Sequence, residues 1–272
     1  MHPVKKFLAP LRKPLTRFIR HRERKLHLYT TANNPRHSDI YIVEFPKSGL
    51  TWFSTMLANM ALISSGSAMR ATFASVRNYV PSVYRGRDIG PMPYHIPPVR
   101  FIKSHSQFNP NYIIVFYLVR KPLDVMKSYF RYRRAFGAAT GSFSDFVKSD
   151  KFGIPAWKRH INSWCTGDLV NQQLTLVRYE DLLRDPVAEL AAINTIYGWN
   201  INSAVLESAA EMSASRIMKS NEQLYSARNP RYTMEFVRGN DTVAVDEATL
   251  KYIEQQCQPE LELLGYTELQ AQ

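Results

Sequence analysis

The sequence predicts an α/β fold: one domain with a central, mostly parallel sheet flanked by helices, and a P-loop-like, phosphate-binding strand, loop and helix at its start. Three observations carry that expectation. From residue 39 onward, short apolar β-rich runs alternate with helical segments, the pattern of βαβ units. The first run, DIYIVEF, passes through FPKSGLTW into the apolar helical stretch FSTMLANMALI. Finally, the 272 residues are 45% hydrophobic, enough to bury one substantial core, and no Pro/Gly/Ser-rich linker or internal repeat divides them.

Residues 1–38 read as a basic arm ahead of the domain. Residues 1–26 hold nine Lys/Arg against the single acid Glu23, which is +8 of the net +12, so the body of the chain is only mildly basic. Leu15, Phe18 and Ile19 with the basic residues between them fit one face of an amphipathic helix on anionic lipid. Pro10 and Pro14 interrupt any helix that starts earlier, and a solvated basic arm fits the same composition. The segment lacks the apolar region and small-residue cleavage site of a signal peptide. No run reaches the roughly 18 apolar residues of a membrane span. Cys165 and Cys257 are far apart, with no CxxC pair and no His at metal-ligand spacing. The expectation is a cytoplasmic chain, soluble or peripheral at the inner face of a membrane, with no structural metal and no nucleic-acid partner.

Strands are predicted at about 39–45, 99–103, 112–119 and 174–178. Helices are predicted at about 50–64, 122–136, 155–166, 186–197, 203–211 and 246–262. Pro122 and Pro186 open two of them, with Asp124 in the first turn of one. The stretch 65–98, rich in Gly, Pro, Arg and Tyr, has no clear period and reads as a lid or binding insertion.

A strand, a tight glycine turn and a helix gather free backbone N–H groups and the positive helix end at one point, which makes an anion site. In FPKSGLTW, Lys47 adds a mobile charge, and Ser48 and Thr51 add hydroxyl donors beside Gly49, Leu50 and Trp52. A nucleotide kinase or NTPase shares such a cradle. The GxxxxGK[ST] pattern is absent, so no Ser/Thr follows a P-loop lysine to hold Mg²⁺, which points to an anion handled without a metal. A second anion grip follows in YLVRKPLDVMKSYF: Arg120 ends a strand, Pro122 starts a helix, and Ser128 lies two turns on. An arginine there holds phosphate through charge-assisted hydrogen bonds of about 1.5–3 kcal/mol each. Both loops lie at the C-terminal ends of strands, where open α/β sheets bind ligands.

FPKSGLTW resembles the 5′-phosphosulfate loop YPKSGTTW of sulfotransferases that use 3′-phosphoadenylyl sulfate (PAPS), with Phe45 and Leu50 as departures. RKPLDVMKSY resembles that family's RNPxDVxxSxY segment in the expected order, and the likeness covers roughly residues 39–265, leaving 266–272 as a tail. The resemblance implies a cytosolic-type domain that transfers the sulfuryl group in line to an acceptor hydroxyl and releases adenosine 3′,5′-bisphosphate. RFIKSHSQF stands where the family has its KTH segment. By that likeness His105 is the general base, Lys103 stabilises the sulfuryl oxygens, and Lys47 stabilises the bridging oxygen. His95 and His160 lack this context.

For the adenine end, the resemblance places Trp52 against the ring and Tyr179 of LVRYEDL in contact with it. Glu180 and Asp181 read as helix-start residues. Ser213 of SASRIMKSN matches a hydroxyl position, while Ser215 replaces the family's stacking Phe. In FVRGND, Arg238 and Gly239 match the start of the element that closes over the 3′-phosphate. The same arginine begins a segment close to the family's dimer motif, so a homodimer is an expectation as well. The acceptor is expected to be a hydroxyl-bearing small molecule, lipid or glycan. Residues 65–98 and 131–160 would shape its site, where Tyr79, Tyr84, Tyr94, Phe136 and Phe143 read equally as pocket or as lid core. A non-catalytic nucleotide- or membrane-binding protein of the same fold is the other reading. The set Lys47, Lys103, His105, Arg120 and Ser128 stands against it.

Overall fold

Four strands, β1 (Asp39–Glu44), β2 (Arg100–Ser104), β3 (Ile114–Val119) and β4 (Gln173–Arg178), form one parallel sheet in the order β2-β1-β3-β4. They belong to a computed structural model that describes residues 36–83, 99–166, 172–229 and 243–266. The basic arm, Tyr84, Tyr94, His95, Arg238 and Gly239 lie outside those residues.

Strand alternation divides the core into two layers. Tyr41, Val43, Ile102, Val115, Tyr117 and Val119 face one side, covered by α3 (Pro122–Ala135), α4 (Phe143–Lys148), α5 (Ile154–Cys165) and α10 (Glu247–Leu263). Ile40, Ile42, Phe101, Phe116, Leu118 and Val177 face the other, under α1 (Leu50–Ser64), α6 (Tyr179–Arg184), α7 (Pro186–Tyr197), α8 (Ser203–Met212) and α9 (Ser215–Arg228). A short helix, α2 (Val76–Tyr79), lies within the 65–98 insertion. Helix α1 packs against both α8 and the sheet and is buried almost all round. Phe53, Met56, Leu57 and Met60 of α1 are fully buried, each contributing about 1.5–3 kcal/mol.

Local chemistry sets the helix starts. Pro122 and Pro186 occupy first-turn positions, and the Asp185 carboxylate caps α7 by accepting from the Ala188 N–H. Ser142 and Asp145 form a reciprocal capping box at α4. At the N-terminal edge of the sheet, Arg100 and Asp39 are register partners joined by a buried two-pronged ion pair of 2.6 and 2.8 Å. Among the described residues no helix is long and apolar enough to cross a membrane.

Candidate active site

The strand order sets the functional residues side by side. Reading across the C-terminal edge of the sheet, β2 leads into His105, β1 into the loop at Lys47, β3 into Arg120, and β4 into Tyr179. The chain leaves β1 for a neighbour on one side and later returns to the other, so the crevice between β1 and β3 is the switch point at which such sheets bind ligands.

The loop is a tight, partly strained turn. The N–H and hydroxyl of Ser48 both donate to the Phe45 carbonyl, at 3.3 and 2.9 Å, so this hydroxyl is used to close the turn. Lys47 has a φ of 81°, in the left-handed region a non-glycine residue rarely adopts, at a cost of about 1–3 kcal/mol. Gly49 has a φ of 119°, and a Cβ there would lie 2.6 Å from Cδ2 of Tyr179. Leu50 is buried in the core, and its N–H donates to Oε2 of Glu44 at 2.8 Å. Lys47 donates its own N–H to Oε1 of Glu44 at 3.2 Å. Thr51 is half-buried in the first turn of α1.

Arg120 has the chemistry of an anion grip. Its guanidinium lies 4.2 Å over the Tyr179 ring, and one terminal nitrogen reaches the Lys47 carbonyl at 3.5 Å. Its Nε is buried without a hydrogen-bond partner among the described residues, a donor placed for an oxyanion. Ser128 is half-buried on α3. Glu180 fixes the approach to this helix: it accepts from the Lys121 N–H at 3.0 Å and from the Tyr266 hydroxyl at 2.6 Å.

Trp52, Tyr179 and Ser213 do come together. The Trp52 indole donates to the Ser213 carbonyl at 2.7 Å and meets the Tyr179 ring edge-on at 5.4 Å. The Ser213 hydroxyl is fully buried and accepts from the Asn59 amide at 3.2 Å, so it serves the packing of α1. Ser215 is the first residue of α9.

His105 stands between cations and a carboxylate. Its Nδ1 is 3.3 Å from the Glu44 carbonyl and 3.7 Å from Oε1 of Glu44. Burial, then the ammonium groups of Lys103 and Lys47, hold the imidazole below its ordinary pKa, against the pull of the Glu44 carbonyl. The ring keeps 37% of its surface exposed, so water weakens the burial effect, while both lysines push in the same direction. Lys47, Lys103 and His105 therefore share one neighbourhood. Lys47 also lies 4.7 Å over the Tyr132 ring, which packs at 4.8 Å on Phe136, an exposed aromatic. Phe143 and Tyr79 are packed into the two cores, as lid residues would be.

Two residues gain importance only in three dimensions. Glu44, in the middle of an apolar run, reads as the end of a strand. It is 3% exposed, and burial pushes its carboxyl up to about 7, opposed by the Leu50 N–H and the Lys47 and Arg120 charges. His160 on α5 is buried behind His105: its Nδ1 pairs with the Tyr117 hydroxyl at 2.8 Å, and burial pushes its pKa down to about 3. The WKRH spacing on an amphipathic helix was the only sequence signal for it.

The family described as "Sulfotransferase domain" matches residues 37–241. Human sulfotransferase 4A1 is 27% identical over 194 residues, covering 66% of this chain and 67% of that protein. Sulfotransferase 1B1 of Canis lupus familiaris is 26% identical over 247 residues, covering 80% and 82%. Among solved structures, retinol dehydratase in complex with androsterone and inactive cofactor PAP superposes with a TM-score of 0.62 at 18% identity, covering 89% of this chain and 86% of that one. Mouse sulfotransferase SULT7A1 complexed with PAP gives 0.56 at 19% identity, covering 84% of each. At these identities the structural likeness is one of fold.

Proposed function

The chain belongs to the sulfotransferase domain family, PAPS-dependent enzymes of the cytosolic type, and we propose that it moves the sulfuryl group of PAPS to an acceptor hydroxyl with His105 as general base. The observation that carries this reading is the row of Lys103, His105, Lys47 and Arg120 along one edge of the sheet, with a buried guanidinium nitrogen that has no partner among the described residues beside a glycine turn.

The residues divide the work by charge. The N–H groups of the first turn of α1, Arg120 and Ser128 hold the phosphates, with Arg238 and Gly239 as further candidates for the 3′-phosphate. Trp52 and Tyr179 form an aromatic wall at the adenine end, where the ring edges of one and the face of the other are already packed. Nε2 of His105 takes the acceptor O–H proton while the acceptor oxygen bonds to sulfur. The bond from sulfur to the bridging oxygen breaks, and its electron pair leaves on the 5′-phosphate, where Lys47 meets the growing charge. Lys103 faces the equatorial sulfuryl oxygens, which carry charge in a loose transition state. Held neutral by its surroundings, His105 is ready to accept a proton at physiological pH.

The acceptor we propose is an apolar alcohol bearing a ring, because Tyr132 and the exposed Phe136 form an aromatic cluster beside Lys47. Androsterone and retinol, named with the retinol dehydratase structures, are apolar alcohols of that kind. The basic arm of residues 1–38 would bring the domain to anionic membranes, where apolar alcohols concentrate. Labelled PAPS offered to separate pools of alcohols, phenols, lipids and glycans is the test. Label should appear in apolar alcohols and persist in EDTA, while label confined to glycans would overturn the acceptor assignment.

A further inference from the structure

The proton-handling end of the site contains a carboxylate with no part in the chemistry above. Glu44 ends β1, next to the strand that leads to His105, and its side chain is almost fully buried. Its two oxygens accept the N–H groups of Lys47 and Leu50, at 3.2 and 2.8 Å. Its carbonyl and Oε1 both face Nδ1 of His105, at 3.3 and 3.7 Å. One residue thus grips the anion loop and the base candidate together.

We propose that Glu44 is a positioning residue for sulfuryl transfer: it ties the Lys47–Leu50 loop to His105, keeps the imidazole hydrogen on Nδ1, and offsets the charge formed when Nε2 takes the acceptor proton. This rests on the reading of His105 as the base. Two oxygens facing Nδ1 favour the tautomer whose lone pair is on Nε2, the form a base needs. Lys47 and Lys103, placed for the bridging and the sulfuryl oxygens respectively, both oppose a charged imidazolium at His105. The Glu44 carboxylate, 3.7 Å from Nδ1, counters that opposition. Lys47 and Arg120 in turn face Glu44 and favour its ionised form, while His160 lies behind His105 and stays neutral. Both oxygens already accept N–H groups, and Glu44 acts in its ionised form, which gains population as pH rises through about 7; it takes no proton during transfer. A buried carboxylate is costly where an apolar side chain would fill the same space, so its charge needs a use.

The test follows the histidine resonances of the full-length, isotope-labelled chain through a pH titration, in wild type, Glu44→Gln and Glu44→Asp. The wild-type His105 should show hydrogen on Nδ1. In Glu44→Gln its pKa should fall by about one unit, the equivalent of a roughly tenfold change in proton affinity. Glu44→Asp, with the carboxylate withdrawn by one methylene, should give a smaller fall and serves if the Gln variant does not fold. Affinity for adenosine 3′,5′-bisphosphate should stay within about fivefold in each. An unchanged His105 titration in a folded variant would overturn the proposal. So would a loss of nucleotide affinity with His105 unaltered, which would leave Glu44 a loop residue only. Wild-type turnover by His105→Ala would sink the base assignment instead, leaving the Glu44 contact measurable.

Discussion

The Arg120 guanidinium lies 4.2 Å over the Tyr179 ring with its Nε buried and unpaired among the described residues. A buried donor without a partner weakens the ligand-free protein and strengthens binding of whatever completes it. Arg120→Ala should therefore leave the melting temperature of the free protein nearly unchanged. It should weaken adenosine 3′,5′-bisphosphate by about 1.5–3 kcal/mol, or roughly 10- to 150-fold. Arg120→Lys should recover little of this, because an ammonium lacks the planar fork and stacks less well on Tyr179. Calorimetric titration checks both variants, and a wild-type affinity in Arg120→Ala would remove the residue from the nucleotide site.

His105 contributes to the transition state rather than to ground-state binding under the base assignment. His105→Ala should lower the transfer rate by about 10²–10⁴ while nucleotide affinity stays within about threefold. Single-turnover rates with saturating labelled PAPS, set beside a binding isotherm, separate the two effects. A parallel loss of affinity would make His105 a binding residue.

Much of this arrangement could be read from the chain because its signals are local. The helix expected at 50–64 is Leu50–Ser64, and the one at 186–197 is Pro186–Tyr197, each fixed by a turn or a proline at its start. The strands fall within two residues of expectation; β1, β2 and β3 are apolar runs buried on both faces, and the half-buried β4 is marked by its β-branched and aliphatic run LTLV. The start of α6 is legible in Glu180 and Asp181, which stand in its first turn, whereas the six residues of α4 give no period to read. Helix α9 escaped because only Met218 and Glu222 of its 14 residues are buried, so it carries hardly any apolar stripe. Glu44 and His160 were opaque for a different reason. What they do depends on contacts with His105 and Tyr117, 61 and 43 residues away along the chain, which no local pattern encodes.

His160 gives the fold a pH signature. Its pKa is about 3 when folded and 6.5 ordinarily, so the unfolded chain binds the proton first. Its stability contribution is fully present above 6.5 and lost as pH falls toward 3. Glu44 runs oppositely: its raised value makes the folded state the better proton binder, so stability increases as pH falls from about 7 toward 4.5. Urea unfolding between those limits should show His160→Gln losing less stability per pH unit than wild type, by about 1.4 kcal/mol. Parallel slopes would mean that His160 is already protonated in the fold.

Gly49 answers to two constraints that a double-mutant cycle can separate. Its φ of 119° is one that side-chain-bearing residues rarely adopt, and a Cβ would stand 2.6 Å from Tyr179 Cδ2. Gly49→Ala should cost about 1–3 kcal/mol of stability from the backbone alone, with the Tyr179 clash added to it. Tyr179→Ala in the same chain removes the clash and leaves the backbone cost, so the two changes should couple favourably by about 0.5–3 kcal/mol. Nucleotide affinity should not recover in the double variant, since the turn that aims the first N–H groups of α1 is still distorted and the aromatic wall beside Trp52 is gone. Additive stabilities would show that Tyr179 swings aside at no cost, and that Gly49 is required for its backbone alone.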